Sequence, residues 1–164
     1  MPHNSDRQDL AGEHALGDVG QIVLFLLFIA TWTIDTFFVK FSTVLSGSIP
    51  LFVKIPLSVI ILGIAGYFAK AGHDIVFGEV REGPTVIEHG VFSRVRHPLY
   101  LAAILLYLGL LLLSFSIMAT VIWIIIILFY NYIAIYEEKI LIAKFGNDYI
   151  DYMKKAPRWI PRLK

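Results

Sequence analysis

The sequence predicts an all-α, polytopic membrane protein that crosses the bilayer about four times. Three observations carry this. The 164 residues are 57% hydrophobic and only 16% charged, with a mean hydropathy of +0.72; a soluble domain is about 45–50% apolar and about 25% charged. The charges are also unevenly placed: 98–136 runs 39 residues without Asp, Glu, Lys or Arg, and 19–34 another 16. The stretch 41–69 holds a single charge, Lys54. A helix needs about 20 mostly apolar residues to cross roughly 30 Å of hydrocarbon.

Residues 1–18 read as a polar N-terminal tail. They carry Asp6, Asp9, Glu13 and Asp18 against Arg7, the wrong charge for the start of a secretory signal. The integral membrane domain follows over 19–164. Its first span is predicted near 19–40 and its second near 48–70. Asp35 is costly at membrane depth unless it is paired, and Lys40 and Lys54 are its candidate partners. Gly63, Gly66, Ala65 and Ala69 make one face of the second span small, which suits close helix packing.

The segment 71–97 reads as a loop with short elements, punctuated by Gly72, Gly78, Gly83-Pro84 and Gly90, with 85–87 as a short extended piece. The long apolar run then divides into spans near 99–116 and 117–136, because one helix of that length would far exceed the bilayer. The tight turn falls at Ser114-Phe115-Ser116. Residues 137–164 form the tail, with Gly146 as a helix C-cap, Asn147 as the cap of a second short helix, and Pro157-Arg158-Trp159-Ile160-Pro161 extended. The 70–96 connection carries Lys70, Arg81, Arg94 and Arg96, and seven more Lys or Arg lie in the tail. The loops 42–50 and 114–116 have none. This bias places both termini and the 71–97 loop in the cytoplasm, in a prokaryotic inner membrane or the endoplasmic reticulum.

Several classes are excluded. Cysteine is absent, so there are no disulfides, thiol nucleophiles or cysteine zinc sites. The five histidines show no metal-ligand spacing. A net charge of +1 gives no footprint for nucleic acid.

The chemistry concentrates at the ends of the apolar run. Arg96, His97, Pro98, Leu99 and Tyr100 meet at the mouth of the third span. Pro98 suits a first helical turn, and the free N–H groups of that turn attract an anion. At the other end come Glu137 and Glu138. One is expected to face solvent or Lys139 and Lys144, and the other to face Arg94, Arg96 or a bound cation.

Gly90-Val91-Phe92, Arg96-His97-Pro98-Leu99-Tyr100, then Glu137-Glu138, Leu141, Phe145-Gly146, Tyr149, Tyr152 and Pro157-Arg158 with Ile160-Pro161 form a pattern. It resembles the isoprenylcysteine carboxyl methyltransferase family and, more loosely, the phospholipid methyltransferases. The resemblance covers about half the chain. It implies a membrane methyltransferase that uses S-adenosyl-L-methionine, bound by Pro84, Thr85, Val86, Ile87, Phe92, His97, Pro98, Leu99, Tyr100 and Glu137. Arg96, His97, Glu138 and Arg158 are the expected catalytic group. The implied acceptor is a lipid-like or prenylated small molecule, first an isoprenylcysteine-like carboxylate, with a phospholipid amine or a small thiol as alternatives. The family's eukaryotic members carry a substrate-associated Arg one turn before the Glu pair. Here that turn is 131–134, without a cation, and Arg158 is the candidate replacement. Two rival readings remain: a nicotinamide-dependent sterol reductase and a non-enzymatic membrane subunit.

Overall fold

A computed structural model describes residues 15–79 and 83–161. Most of the expected polar tail, residues 1–14, and Arg81 therefore lie outside the described residues. Helix α1 spans Ala15–Thr33 and continues as a π-helix over Ile34–Val39. A 3-10 turn at Val44–Ser48 leads to α2, Leu51–Gly78. A second 3-10 turn, Gly90–Ser93, precedes α3 at Pro98–Ser114. Helix α4 is Ile117–Phe145 and α5 is Asn147–Lys155. Among the described residues there is no strand.

Three helical stretches, Gly17–Val39, Leu51–Gly78 and Ile117–Phe145, are long and apolar enough to cross a membrane, and α3 is a shorter apolar helix. Its 17 residues fall at the low end of spanning lengths, about 17–25. The chain is a polytopic membrane protein, as its apolar runs predict. Helix α2 packs most extensively on α3, α1 packs on α4, and α3 and α4 form the expected hairpin. Its turn is built as the sequence suggests. Phe115 adopts a left-handed conformation with φ 50°, and the Ser116 side chain accepts a hydrogen bond from the Ala119 N–H as the N-cap of α4. An N-cap of this kind satisfies one of the donors a helix start leaves open.

The core lies between α1, α3 and α4, where Phe28, Tyr107, Leu111, Ile122, Ile126 and Tyr130 pack together. The outer faces are apolar too. Phe25, Leu26, Phe52, Ile60, Ile124 and Leu128 are exposed, as suits a surface solvated by lipid. Indole and hydroxyl groups bind backbone carbonyls across helices: Trp32 Nε1 donates to Leu110 O at 3.0 Å, and Ser58 Oγ to Gly109 O at 2.6 Å. In hydrocarbon such polar groups must find partners within the protein.

Several boundaries and contacts differ from expectation. Helix α2 runs eight residues beyond 70 to Gly78, because His73 and Asp74 are tolerated on a helical face outside the apolar stretch. Residues 85–87 are irregular, without strand pairing. The cap between α4 and α5 is Gly146, at φ 57°, and Asn147 makes no capping hydrogen bond. Gly63 and Gly66 face open space rather than a helix. The close approach is instead at Gly109, where an added Cβ would sit 2.6 Å from the Leu62 side chain. Asp35 does not pair with Lys40 or Lys54. Its carboxylate accepts from Ser42 N, Ser42 Oγ and Ser116 Oγ, while Lys54 Nζ donates to Ser46 O and Oγ. The π-helix brings this about: its wider turn bonds Lys40 N to Asp35 O and leaves the chain reversing so that Ser42 faces Asp35.

Candidate active site

The site is assembled where α2 ends, α3 begins and α4 runs past the apolar stretch. Gly90, at φ 58°, opens the 3-10 turn that leads into it, and a Cβ there would meet Ile75 at 2.5 Å. His97 is the N-cap residue of α3 and Pro98 sits in its first turn. Leu101 N donates to His97 O, so the ring of His97 is held at the helix mouth.

On α4, Glu137 and Glu138 are adjacent and therefore point about 100° apart around the axis. Glu138 turns into the protein and is 3% exposed. It accepts from Arg96 Nε at 2.9 Å, from Arg158 Nε at 3.0 Å and Nη2 at 2.6 Å, and lies 3.2 Å from His97 Nε2. A buried carboxylate is tolerated when it is paired and hydrogen-bonded in this way. Glu137 turns toward open space. Tyr100 Oη donates to it, and His97 Nδ1 lies 3.5 Å from its Oε2. His97 thus stands between the two carboxylates, with its ring stacked on Tyr100 at 5.5 Å and Tyr100 against Tyr130 at 5.0 Å.

The tail locks this arrangement. Arg96 Nη1 donates to Met153 O and Ala156 O, Arg96 N to Pro157 O, and Tyr152 Oη to Phe92 O. Arg158 Nη1 and Trp159 Nε1 both reach Asn131 Oδ1. Arg158 therefore stands beside the turn where the resembling family carries its Arg. Its guanidinium is held above its ordinary value, first by the hydrogen bond to Glu138. Burial pushes the phenols of Tyr149 and Tyr152 up.

A cavity of about 500 Å³ opens over these residues, within the roughly 300–1,000 Å³ of small-molecule sites. Of the residues singled out in the sequence, Thr85, Val86, Ile87, Phe92, Arg96, His97, Leu99, Tyr100 and Glu137 line it, as do the motif residues Leu141, Phe145, Tyr149 and Tyr152. Pro98 lines an adjoining space of about 160 Å³. Pro84, Glu138 and Arg158 line neither. Glu138 thus lies beneath the cavity and holds Arg96, Arg158 and His97 in place.

The sequence reading missed Gly17, Asp18 and Gln21 on α1, Val76 and Phe77 on α2, and Tyr130 and Ile133 on α4, all of which line the cavity. A signal existed for the last two: Tyr130, Ile133, Glu137 and Leu141 recur every three or four residues, which marks one helical face. Among the described residues no group of three or more His, Cys, Asp or Glu could hold a metal ion. The cavity is lined by two carboxylates, Asp18 and Glu137, with a guanidinium, an imidazole and phenols.

No curated protein matches the chain. Residues 42–148, from the turn after α1 to the start of α5, match the family model described as phospholipid methyltransferase. With the apolar helices, this makes the chain a membrane methyltransferase belonging to the phospholipid methyltransferase family.

Proposed function

We propose that the protein transfers a methyl group from S-adenosylmethionine to a lipid-like acceptor at the membrane surface. The observation that carries this is the cavity itself. It places Glu137, Arg96, His97 and Tyr100 around one space at the end of an apolar helical hairpin. The donor set fits the cofactor. Glu137 suits an ammonium, and Arg96 with the first-turn amides of α3 suits a carboxylate. Tyr100 lines the space that a sulfonium would occupy. Residues 85–87 and Phe92 supply a wall for the remainder, and Pro98 lines the adjoining space.

S-adenosylmethionine, when bound, supplies an electrophilic methyl group on sulfur. The chain's own contribution is proximity, alignment and exclusion of water. Glu138 and Arg158 act as positioning residues, fixing Arg96 and His97 from below. Held by Glu137 and Arg96, the cofactor would supply a methyl group to an acceptor lone pair, with the carbon–sulfur pair leaving on sulfur. A carboxylate acceptor attacks as it stands. An amine must first lose a proton, and His97, which lines the cavity with its Nδ1 3.5 Å from Glu137 Oε2, is the residue placed to take it.

The family's description favours a phospholipid acceptor. An isoprenylcysteine-like carboxylate is the second reading, favoured by Arg158 standing beside Asn131. The Lys/Arg bias puts the pocket on the cytoplasmic side.

The deciding experiment is calorimetric titration of S-adenosylhomocysteine into detergent-purified protein, beside Glu137→Ala and His97→Ala. Micromolar binding that weakens by about tenfold or more in each variant, on the order of 1.4 kcal/mol, is the expected result. Equal binding by the variants overturns the site, and no binding by the folded parent overturns the cofactor.

A further inference from the structure

The tail does not stay at the polar end of α4. Arg158 lies along that helix and spans two of its turns: Nη2 donates to Glu138 Oε2 at 2.6 Å and Nη1 to Asn131 Oδ1 at 3.3 Å. Trp159 Nε1 donates to the same Asn131 oxygen at 3.1 Å, and Trp159 packs against the core cluster that holds Phe28, Tyr107 and Tyr130. Seven positions separate Asn131 from Glu138, about 10 Å of axial rise at about 1.5 Å each. The uncharged run 98–136 ends between them. After α5 the chain therefore turns back beside α4, past Glu137, to the level of the apolar helices.

The residues of this return suit a membrane boundary. Pro157 and Pro161 have no N–H to satisfy, and Arg96 N donates to Pro157 O. Trp159 presents an apolar ring whose N–H is already bonded, as aromatic side chains do where lipid meets water. Arg158 brings its charge to this depth with Glu138 as its partner. Ile160 then points away from the protein. It is 81% exposed, comparable to Phe52 on the outer face of α2 at 77%. Between Asn131 and Glu138 on α4, Tyr132, Ile135 and Tyr136 are exposed as well, so the outer surface at this level is apolar and aromatic.

We propose that Pro157–Pro161 is a re-entrant membrane anchor: Ile160 seats among lipid acyl chains beside α4, with Trp159 at the boundary, and this contact holds the tail against the pocket. The hold reaches the site directly. Arg96 Nη1 donates to Met153 O and Ala156 O, and the Trp159 ring lies 6.0 Å from that of His97. Lipid contact at Ile160 thus bears on two side chains that line the cavity. The anchor follows from the membrane fold and not from methyl transfer, so its failure leaves the methyltransferase reading standing. The ordinary alternative is a strap held by protein contacts alone, with Ile160 in water. Placing a charge at 160 is then close to neutral.

The test uses the full chain in nanodiscs of a choline phospholipid. The sequence holds no cysteine, so Ile160→Cys, Leu128→Cys and Lys154→Cys can each carry a single nitroxide label. Leu128 is exposed on α4 within the apolar run, and the Lys154 side chain is exposed on α5. Power-saturation EPR compares collisions with oxygen, which partitions into lipid, and with a water-soluble nickel chelate. We expect the label at 160 to favour oxygen, as the label at 128 does. A label at 160 that favours the nickel chelate, as the label at 154 does, overturns the anchor. The second arm follows trypsin cleavage at Lys154 and Lys155 in unlabelled Ile160→Asp and Ile160→Leu. Ile160→Asp should be cut about tenfold faster than the parent, and Ile160→Leu at the parent's rate. Equal rates for Ile160→Asp and the parent overturn the hold on the tail. An equal gain in both variants overturns it too, because a packing role for Ile160 then replaces lipid contact.

Discussion

The two ends of α4 each hold a buried carboxylate, and they neutralise it in opposite ways. At the hairpin end, Asp35 is 2% exposed and is met, among the described residues, by neutral donors that include the hydroxyls of Ser42 and Ser116 and the Ser42 N–H. Lys54, buried nearby, spends its ammonium on Ser46. At the pocket end, Glu138 is met by two guanidinium groups and an imidazole. The hairpin end closes a turn and needs only hydrogen bonds. The pocket end must bring a loop, a helix and the tail to one point and keep two cations beside a ligand space. Full charges do that because their partners lie far apart in sequence and each carries several directed donors.

The largest effect that sharpens this contrast is at Glu138. Glu138→Gln removes the charge and leaves Arg96, whose side chain is 9% exposed, without its counter-charge. Loss of one partner of a buried pair costs about 3–5 kcal/mol. Thermal unfolding in detergent should show that loss, and α5 should become sensitive to trypsin at Lys154 and Lys155. A variant as stable as the parent would erase the contrast.

Ser116→Ala should cost less, about 1–2 kcal/mol, through the lost N-cap and the lost bond to Asp35. Its S-adenosylhomocysteine affinity should equal the parent's in the same calorimetric assay. A weaker affinity would mean that the two ends are coupled through α4. The smallest effect is expected between them. Gly63→Ala adds a Cβ with nothing within 4 Å, so its unfolding temperature should correspond to a change within about 0.5 kcal/mol.

These same regions show what the sequence could disclose. The hairpin turn at Ser114–Ser116 was legible, because an uncharged run of that length must fold back. So was the meeting of the Arg96–Tyr100 segment with Glu137 and Glu138, since both cap the same hairpin. Which glutamate turns inward was not legible; it depends on the phase of α4 against α3 and on where the tail lands. The partners of Asp35 were hidden for a similar reason. Ser116 lies 81 residues away, and the π-helical turn that delivers Ser42 has no periodicity signature. Gly63 and Gly66 misled because small residues permit close packing without saying which face is used. The contribution of α1 to the cavity escaped notice because Asp18 read as the end of a polar tail.

Helix α4 is unbroken from its Ser116 cap past Glu138. The 21 positions from Ser116 to Glu137 span about 31 Å at a rise of about 1.5 Å each, close to the hydrocarbon thickness of a bilayer. The helix is therefore a ruler. One end is set by a serine cap, and the other carries Glu137 to the cavity. Its length sets how far Glu137 stands from the hairpin turn, and its pitch sets which way that side chain faces. A single inserted residue would turn Glu137 by about 100° and aim a different side chain at the cavity.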